Sequence, residues 1–590
     1  MQGYIISDFG NAVLEKDRLA DFNATDKWEV VSYELKGVSG TMLNASAENF
    51  PAPVTVEPKL VGWHKIYVCM LDYGGRSFSN HIHLKLTDDE YSSHMRAADM
   101  GRYIAWSLQE KAEEALWKAA DMTNQSVTIE KRKDGTEHTA NILYLRFEPM
   151  SAEEVEKYKA QCENRQAKTM LAHMDGDFFL FERWDKPSDF LAALSVYKDA
   201  DVGIVSQEIM NDMVNWEAVR PETVASRRAW DHTRAYYMKR FQKMKDEIYP
   251  LEIEYAHRHG MKLFAAQRMA LSNFCFPLAQ KIFDLEFVCE NQHLRCEQRD
   301  GTKSEFLSYA YKEVQDFMIG TVVKAAEYGF DGIELLFSRG VMLMFEQPVQ
   351  DRFDAKYGSG IDVHRLPMSD ERLIGVWCDI MGEFIARMRG ALDEAAKGGR
   401  RMEIYITAAH AAADSKTIGL DVEALAKAGL IDGVVQSNMS MWELTDDVLD
   451  ADGLIDIQAY CRKAESEYII KRQFGSDMPR LLNGLAEYRR IADENGIRLF
   501  TELQWENSRP AEQFVKAAKS VYAAGGQSIA LWDCYPSRVQ VRSEWNAVSH
   551  LGDREYVREM SEEGSAYYTI HKVLSFGGRD MRFYHPSWRG

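Results

Sequence analysis

The chain has 590 residues, 46% of them hydrophobic and 27% charged, as in ordinary globular protein, and its length exceeds one apolar core, so two or three domains are expected. A formal net charge of −20 argues against a nucleic-acid partner or an anionic membrane surface, since both need clustered Lys and Arg. It leaves room for an uncharged, carbohydrate-like ligand, and 13 Trp with 27 Tyr supply ring faces on which sugars could stack.

The opening segment MQGYIISDFGNAVLEKDRLADF has neither the basic nor the apolar region of a signal peptide. No apolar run reaches membrane-spanning length. The eight cysteines are scattered without a CxxC pair, a pattern that suits reduced thiols and a cytoplasmic location. Over residues 1–150, short alternating runs such as WEVVSYEL, VTVEPKL, HKIYVCML, HIHLKL and NILYLRFEP are separated by turn residues. This rhythm predicts a small antiparallel β-sandwich accessory domain. A helical interruption is expected over Arg102 to Asp121, where Ala, Leu and Trp recur at helical spacing. His81 and His83 share one strand face, as two metal ligands would, but no third ligand accompanies them in the sequence, and no metal or cofactor is expected.

Ser151 opens a capping-box pattern, SAEE, and a linker helix over 151–168. From 169 to about 560 the pattern alternates strand and helix. TMLAHMD, DVGIVSQEI, KLFAAQRMA, GIELLFSR, EIYITAA, GVVQSNM, RLFTELQW and SIALWDC are eight short apolar runs. Amphipathic stretches lie between most of them, several ending in Gly, the usual helix C-cap. Eight such units in about 390 residues fit an enlarged (β/α)8 TIM barrel; a doubly wound open sheet is the competing architecture. No GxGxxG or GxxxxGK[ST] follows a strand, so nucleotide binding has no support. The segment Trp442 to Ser476 fits no barrel unit and reads as an excursion near strand six. The C-terminal extension 561–590 is aromatic and basic and could pack on either domain.

Catalytic groups of such barrels sit where strands run into the loops that follow them. That rule selects Asp175 and Asp177 after strand one, Glu208 after strand two, and Arg268 and Asn273 after strand three. Strand four carries Glu334 and Arg339, and strand five reaches His410. Strand six leads to Asn438 and Trp442, and strand seven to Glu502, Trp505, Glu506 and Asn507. Strand eight ends in Trp532, Asp533 and Tyr535. Carboxylates, arginines and tryptophans around one mouth describe a sugar site, because paired acids divide the acid and base roles of glycoside cleavage. Glu334 interrupts the apolar run Ile333, Leu335, Leu336, Phe337, and an acid there has to be paired, hydrogen-bonded or protonated. Its structural reading is a satisfied buried acid, with Arg339 as a nearby partner; its functional reading is a carboxyl whose pKa an apolar setting raises. Asp331 fits a turn before the strand, and His257 and His259 fit a helix C-terminus. HExxH, GxSxG and Cys–His patterns are absent from the sequence, so metal and nucleophile-elbow chemistry have no residues to stand on.

Four blocks together resemble the family-10-like glycosyl hydrolases, a group of TIM-barrel proteins. AHRHGMKLFAAQRM is similar to that group's helix-Gly-strand segment with its Arg-Met pair. FLSYAYKEVQDFMIGTVVKAAEYGFDGIELLFSR resembles its most characteristic block, and IGLDVEALAKAGLIDGVV and AAKSVYAAGGQSIALWDC resemble two later units. The likeness spans Thr169 to Val557. It implies a glycoside hydrolase acting on oligosaccharides or small glycosides, with Glu334 as general acid/base after strand four and Glu502 as nucleophile or second carboxylate after strand seven. Asp175, Asp177, Arg268, Arg339, His410, Asn438, Trp505, Trp532 and Asp533 are the expected substrate contacts. Two departures stand out: Leu336 where the family motif carries an acid, and Ala270-Leu271 where it carries Asn-Asp. They motivate the alternative of a non-hydrolytic carbohydrate-binding or degenerate barrel. A weaker alternative is a barrel lyase or isomerase with a Glu or His base. The partner expected throughout is a carbohydrate, without nucleic acid or membrane, and homo-oligomerisation is left open.

Overall fold

The computed structural model describes residues 3–21, 25–46, 48–71, 80–96, 111–132, 139–174, 184–209, 229–270, 286–337, 342–396, 399–437, 478–503, 511–532, 534 and 542–580. All eight apolar runs form strands of one closed parallel barrel. In order these are Met170–Met174, Val202–Glu208, Lys262–Arg268, Gly332–Leu336, Glu403–Ala408, Gly433–Gln436, Arg498–Leu503 and Ser528–Leu531. They are numbered strands one to eight below. The expected excursion Trp442 to Ser476 lies outside the described residues. No helix among the described residues is long and apolar enough to cross a membrane.

The strand register fixes how the barrel interior is filled. Glu334 lies opposite Tyr405, Tyr405 opposite Gly433, and Gly433 opposite Arg498, four residues before Glu502. Followed onward, Glu502 lies opposite Ala530, then Leu171, Ile204 and Lys262, four residues before Ala266, the partner of Glu334. The barrel therefore closes with a stagger of eight residues over eight strands, the geometry of the (β/α)8 fold. One residue of stagger per strand makes inward side chains from alternate strands share a level. Leu171, Phe264, Tyr405 and Phe500, from the odd strands, make an apolar layer near the base. Above it lie Ser206, Glu334, Val435 and Ala530 from the even strands, then His173, Ala266, Thr407 and Glu502 from the odd ones. The next layer toward the strand ends holds Glu208, Leu336, Ser437 and Trp532, and Leu336 and Trp532 pack with Ala266.

The aromatic layer requires small residues beneath it. A Cβ on Gly332 would come within 2.5 Å of the Phe264 ring, and one on Gly433 within 2.9 Å of the Tyr405 ring. The floor is pinned by aspartates that precede strands. Asp331 accepts from the backbone N–H of Leu263 at 2.9 Å and pairs with His257 and Arg400. Asp432 accepts from Ile404 N–H at 2.8 Å and pairs with Arg389 and Arg401. Asp331, expected to set a turn, thus ties strand four to strand three.

The N-terminal region contributes eight strands of a ten-stranded sheet and all of a four-stranded one, and the two share one apolar core containing Trp28, Trp117, Ile82 and Phe147. One feature differs from the sequence reading and one is left open by it. Of the helix expected over Arg102 to Asp121, residues 102–110 lie outside the described residues, and Lys111–Asp121 is not helical but an eleven-residue strand, paired with Trp63–Leu71 on one side and Tyr568–Phe576 on the other. KAEEALWKAAD is made of strong helix formers, and pairing on both edges overrides that weak intrinsic preference. The C-terminal extension, whose place the sequence left open, supplies Tyr568–Phe576 to this sheet. There it bridges Lys111–Asp121 to Trp28–Leu35. Residues 581–590 lie outside the described residues.

Two outcomes follow from this packing. Gly332→Ala is expected to destabilise the protein by about 1–3 kcal/mol through overpacking of the aromatic layer, read from the urea midpoint; an unchanged midpoint would contradict the layer assignment. Ending the chain at Met560 exposes the edges of Lys111–Asp121 and Trp28–Leu35. Limited proteolysis should then cut within residues 28–45 of the truncated protein faster than in the full chain.

Candidate active site

The polar interior begins one layer above the aromatic one. Glu334, 1% exposed, reaches across the barrel from strand four. Its Oε2 lies 3.1 Å from His173 Nδ1 of strand one, and its Oε1 accepts from Thr407 Oγ1 of strand five at 3.0 Å. The other ring nitrogen of His173, Nε2, is 3.7 Å from Glu208 Oε1. That separation exceeds a hydrogen bond, and the contact is ionic. Glu208 in turn accepts from Arg268 Nε at 2.9 Å. The imidazole of His173 stacks on Trp532, 3.9 Å between ring centroids and 13° between planes. The result is a continuous buried chain, Arg268–Glu208–His173–Glu334–Thr407, contributed by strands three, two, one, four and five.

The charges in this chain stabilise one another. For His173 burial opposes the charged ring, but the facing carboxylates Glu334 and Glu208 overcome it and raise the pKa to about 10. Burial likewise pushes the Glu334 carboxyl up, but the His173 charge and the hydrogen bonds from His173 and Thr407 hold it below its ordinary value. The pair is therefore imidazolium and carboxylate at neutral pH. This corrects the expectation that an apolar strand raises the Glu334 pKa, because the layer above supplies a cation.

Glu502, 2% exposed, enters one layer above Glu334 from strand seven, and its Oε1 accepts from Ser437 Oγ at 2.9 Å. Arg268 and Trp532 occupy the upper interior, where the sequence placed substrate contacts. Arg268 is committed to Glu208, and Trp532 has one face on His173. His410, at the end of strand five, is held from outside the barrel: its Nε2 is 2.9 Å from Arg480 Nε and 2.8 Å from Asp414 Oδ2, two contacts that compete for one nitrogen. Asp175, Asp177, Arg339, Asn438, Trp505 and Asp533 lie outside the described residues, as do Asn273, Trp442, Glu506, Asn507 and Tyr535. The described interior adds His173, Thr407 and Ser437, which the rule of strand ends passed over. The available signal was parity: His173 is two residues beyond Leu171 and Thr407 two beyond Tyr405, so each faces the same side as a core residue.

Elsewhere, His94 joins His81 and His83 in the N-terminal region. His94 Nε2 lies 3.1 Å from His81 Nδ1, and the rings of His83 and His94 stack at 4.8 Å. No group of three His, Cys, Asp or Glu among the described residues is arranged to hold a metal ion.

No family model matches the chain, and neither does any curated protein. Among solved structures it is similar to the catalytic domain of a beta-amylase from Paenibacillus polymyxa, at 12% identity and a TM-score of 0.37, covering 64% of this chain and 99% of that one. It is also similar to an alpha-galactosidase from Thermus thermophilus, at 12% identity and a TM-score of 0.33, covering 89% and 95%. A third is an endo-1,4-beta-D-xylanase from Clostridium thermocellum, at 12% identity and a TM-score of 0.30, covering 91% and 95%. Likeness at this level carries no argument about chemistry.

The buried pair makes stability depend on pH in a definite direction. The His173 pKa is raised from 6.5 to about 10. Its stabilisation is complete below pH 6.5, declines above that, and is gone once pH passes the folded value. Glu334, lowered from 4.5, contributes above 4.5 and loses that contribution as pH falls through its folded value. His173→Gln is therefore expected to cost several kcal/mol near pH 6, about 3–5 for a broken buried pair. The gap to wild type in urea midpoint should close steadily toward pH 10; a gap independent of pH would refute the imidazolium assignment.

Proposed function

We propose that the protein is a glycoside hydrolase that cleaves oligosaccharides or small glycosides with the carboxylates of Glu334 and Glu502. The observation that carries this reading is their placement. Two acids from strands four and seven enter one barrel interior on adjacent levels, each fixed by a hydroxyl donor, with a third acid, Glu208, above. Cleavage of a glycosidic bond uses two carboxyl groups in different protonation states, and different environments are what separate their roles. Glu334 is held as an anion by His173 and Thr407. That suits the nucleophile, or the charge that stabilises an oxocarbenium-like transition state, better than the proton donor expected from the sequence. In this reading Glu502, with Ser437 on one oxygen, supplies the proton to the leaving oxygen. Arg268 pairs with Glu208 at the upper edge, and His173 holds Glu334 as the anion. The stagger of the barrel puts Glu334 and Glu502 on adjacent interior levels.

A second reading, a carbohydrate-binding barrel without hydrolysis, is favoured by one observation. Both described oxygens of Glu334 are already engaged inside the protein, as in a structural acid.

The two readings separate on one comparison. On a panel of aryl glycosides and short oligosaccharides, Glu502→Gln and Glu334→Gln should each lower turnover by about 10²–10⁴-fold. The alkaline limb of the pH–rate profile, set by loss of the donor's proton, should survive in the first only if another group donates the proton. No turnover of any member by wild type would leave the binding reading. Loss of turnover accompanied by unfolding, read by circular dichroism, would assign Glu334 to structure.

A further inference from the structure

A cavity lies on the side of the barrel opposite its mouth. It has a volume of about 930 Å³ and is walled by the N-terminal sheets, the linker helix Ala152–Glu163 and the base of the barrel. Its barrel wall includes Lys198 and Asp199, which precede strand two, and His550, whose Nδ1 is 3.2 Å from Asp201 Oδ1 at the start of that strand. These are N-terminal strand ends, whereas Glu208, Glu334 and Glu502 lie toward the C-terminal ends. The two sites are thus on opposite sides of the aromatic layer.

The walls select the chemistry of an occupant. Aromatic rings come from both parts of the chain: Trp63 beside Tyr158, with centroids 5.9 Å apart, and Tyr91 edge-on to Tyr255 at 6.2 Å. The volume is near the upper end of the roughly 300–1,000 Å³ range of small-molecule sites. Seven carboxylates and five lysines line it, so an anion meets net negative charge. Two of the carboxylates are already held by cations: Lys65 pairs with Glu154 at 2.7 Å and Lys118 with Asp89 at 2.6 Å. Paired carboxylates keep lone pairs that accept from hydroxyl groups, and the partly exposed rings of Trp63 and Tyr158 offer apolar surface to C–H groups once the Lys159 ammonium, 5.2 Å from the Trp63 ring centre, swings aside. An uncharged molecule that alternates hydroxyls with C–H faces satisfies both, and an apolar one would leave the charged walls desolvated.

We propose that this cavity is a second saccharide site, taking an uncharged oligosaccharide at the junction of the N-terminal sheets and the barrel. Trp63 and Tyr158 form its stacking platform, and the paired Asp89 and Glu154 accept from the sugar hydroxyls. The site stands independently of hydrolysis at the mouth. A ligand here contacts both parts of the chain at once, so occupancy strengthens their association.

Titration calorimetry of the full chain with cello-, xylo-, malto-, manno- and N-acetylchito-hexaose tests the proposal. At least one hexaose should bind. Trp63→Ala should weaken that binding by about tenfold or more, as removal of a buried-edge tryptophan contact does, while Trp63→Phe retains most of it. Glu502→Gln, at the mouth, should leave this event unchanged. The melting temperature of Trp63→Ala shows whether the variant is folded; if it is not, Tyr158→Ala replaces it. Binding of no hexaose by wild type overturns the proposal, and so does binding kept at full strength in folded Trp63→Ala. Failure of the hydrolytic reading shows separately, as absence of sugar release with this binding intact.

Discussion

The ion pair between His173 and Glu334 is the contact on which the barrel interior depends. Moving a carboxylate from water to a protein interior costs several kcal/mol even after relaxation, and Glu334 lies just above a layer of Leu171, Phe264, Tyr405 and Phe500 that offers it nothing. Thr407 satisfies one oxygen, but only a cation offsets the charge. That cation has to come from across the barrel, because the inward neighbours on strands three and five are Ala266 and Thr407. His173, on strand one, is the residue that can span the axis. The carboxylate and the imidazole are each unfavourable alone and stable together. Removal of either strands the other, and for that reason the two must be considered a unit in any account of the site.

The pair also orders what lies above it. An imidazolium with one nitrogen on Glu334 directs its other nitrogen toward Glu208, and Glu208 draws in Arg268. Charge therefore alternates from the inner level to the upper one as carboxylate, imidazolium, carboxylate, guanidinium. The flat stack of His173 on Trp532 fixes the ring plane and shields it from water. Glu502, one level above Glu334, accepts at Oε1 from the neutral hydroxyl of Ser437, whereas Glu334 faces the His173 ring. Two carboxyl groups with unlike partners, one level apart, are the physical basis for unlike roles.

Much of this fold is readable in the sequence, and what is not has identifiable causes. The barrel strands are legible because parallel strands covered on both faces are continuous apolar runs, and Gly329, Gly260 and Gly496 mark the helix ends before them. Glu334 is legible because a charge breaks such a run. Its partner is not, since pairing across a barrel depends on stagger, and the residue nearest in sequence, Arg339, was the natural candidate. His173 sits inside TMLAHMD, where it looks like a polar interruption near a strand end. The misread segment is KAEEALWKAAD, whose local preference is helical while its neighbours on both edges are strands. One of those neighbours is Tyr568–Phe576, more than four hundred residues away, and no local pattern reports such a pairing.

Leu336 is where the sequence and the structure bear on each other most directly. The family that this chain resembles places an acid there, and on the sequence alone Leu336 reads as a loss. In the barrel it faces inward two levels above Glu334, on the same level as Glu208 and Trp532, and packs with Ala266 and Trp532. A carboxylate at that position would share the upper level with Glu208, and its charge would compete with Glu334 and Glu208 for a single imidazolium. With His173 already serving two carboxylates, a third would have to be protonated or would pull Arg268 from Glu208. Leucine avoids this conflict and excludes water from the ion pair beneath, which strengthens the attraction between His173 and Glu334. The substitution that looks like a missing catalytic acid is, in this interior, the residue that lets the existing charges balance.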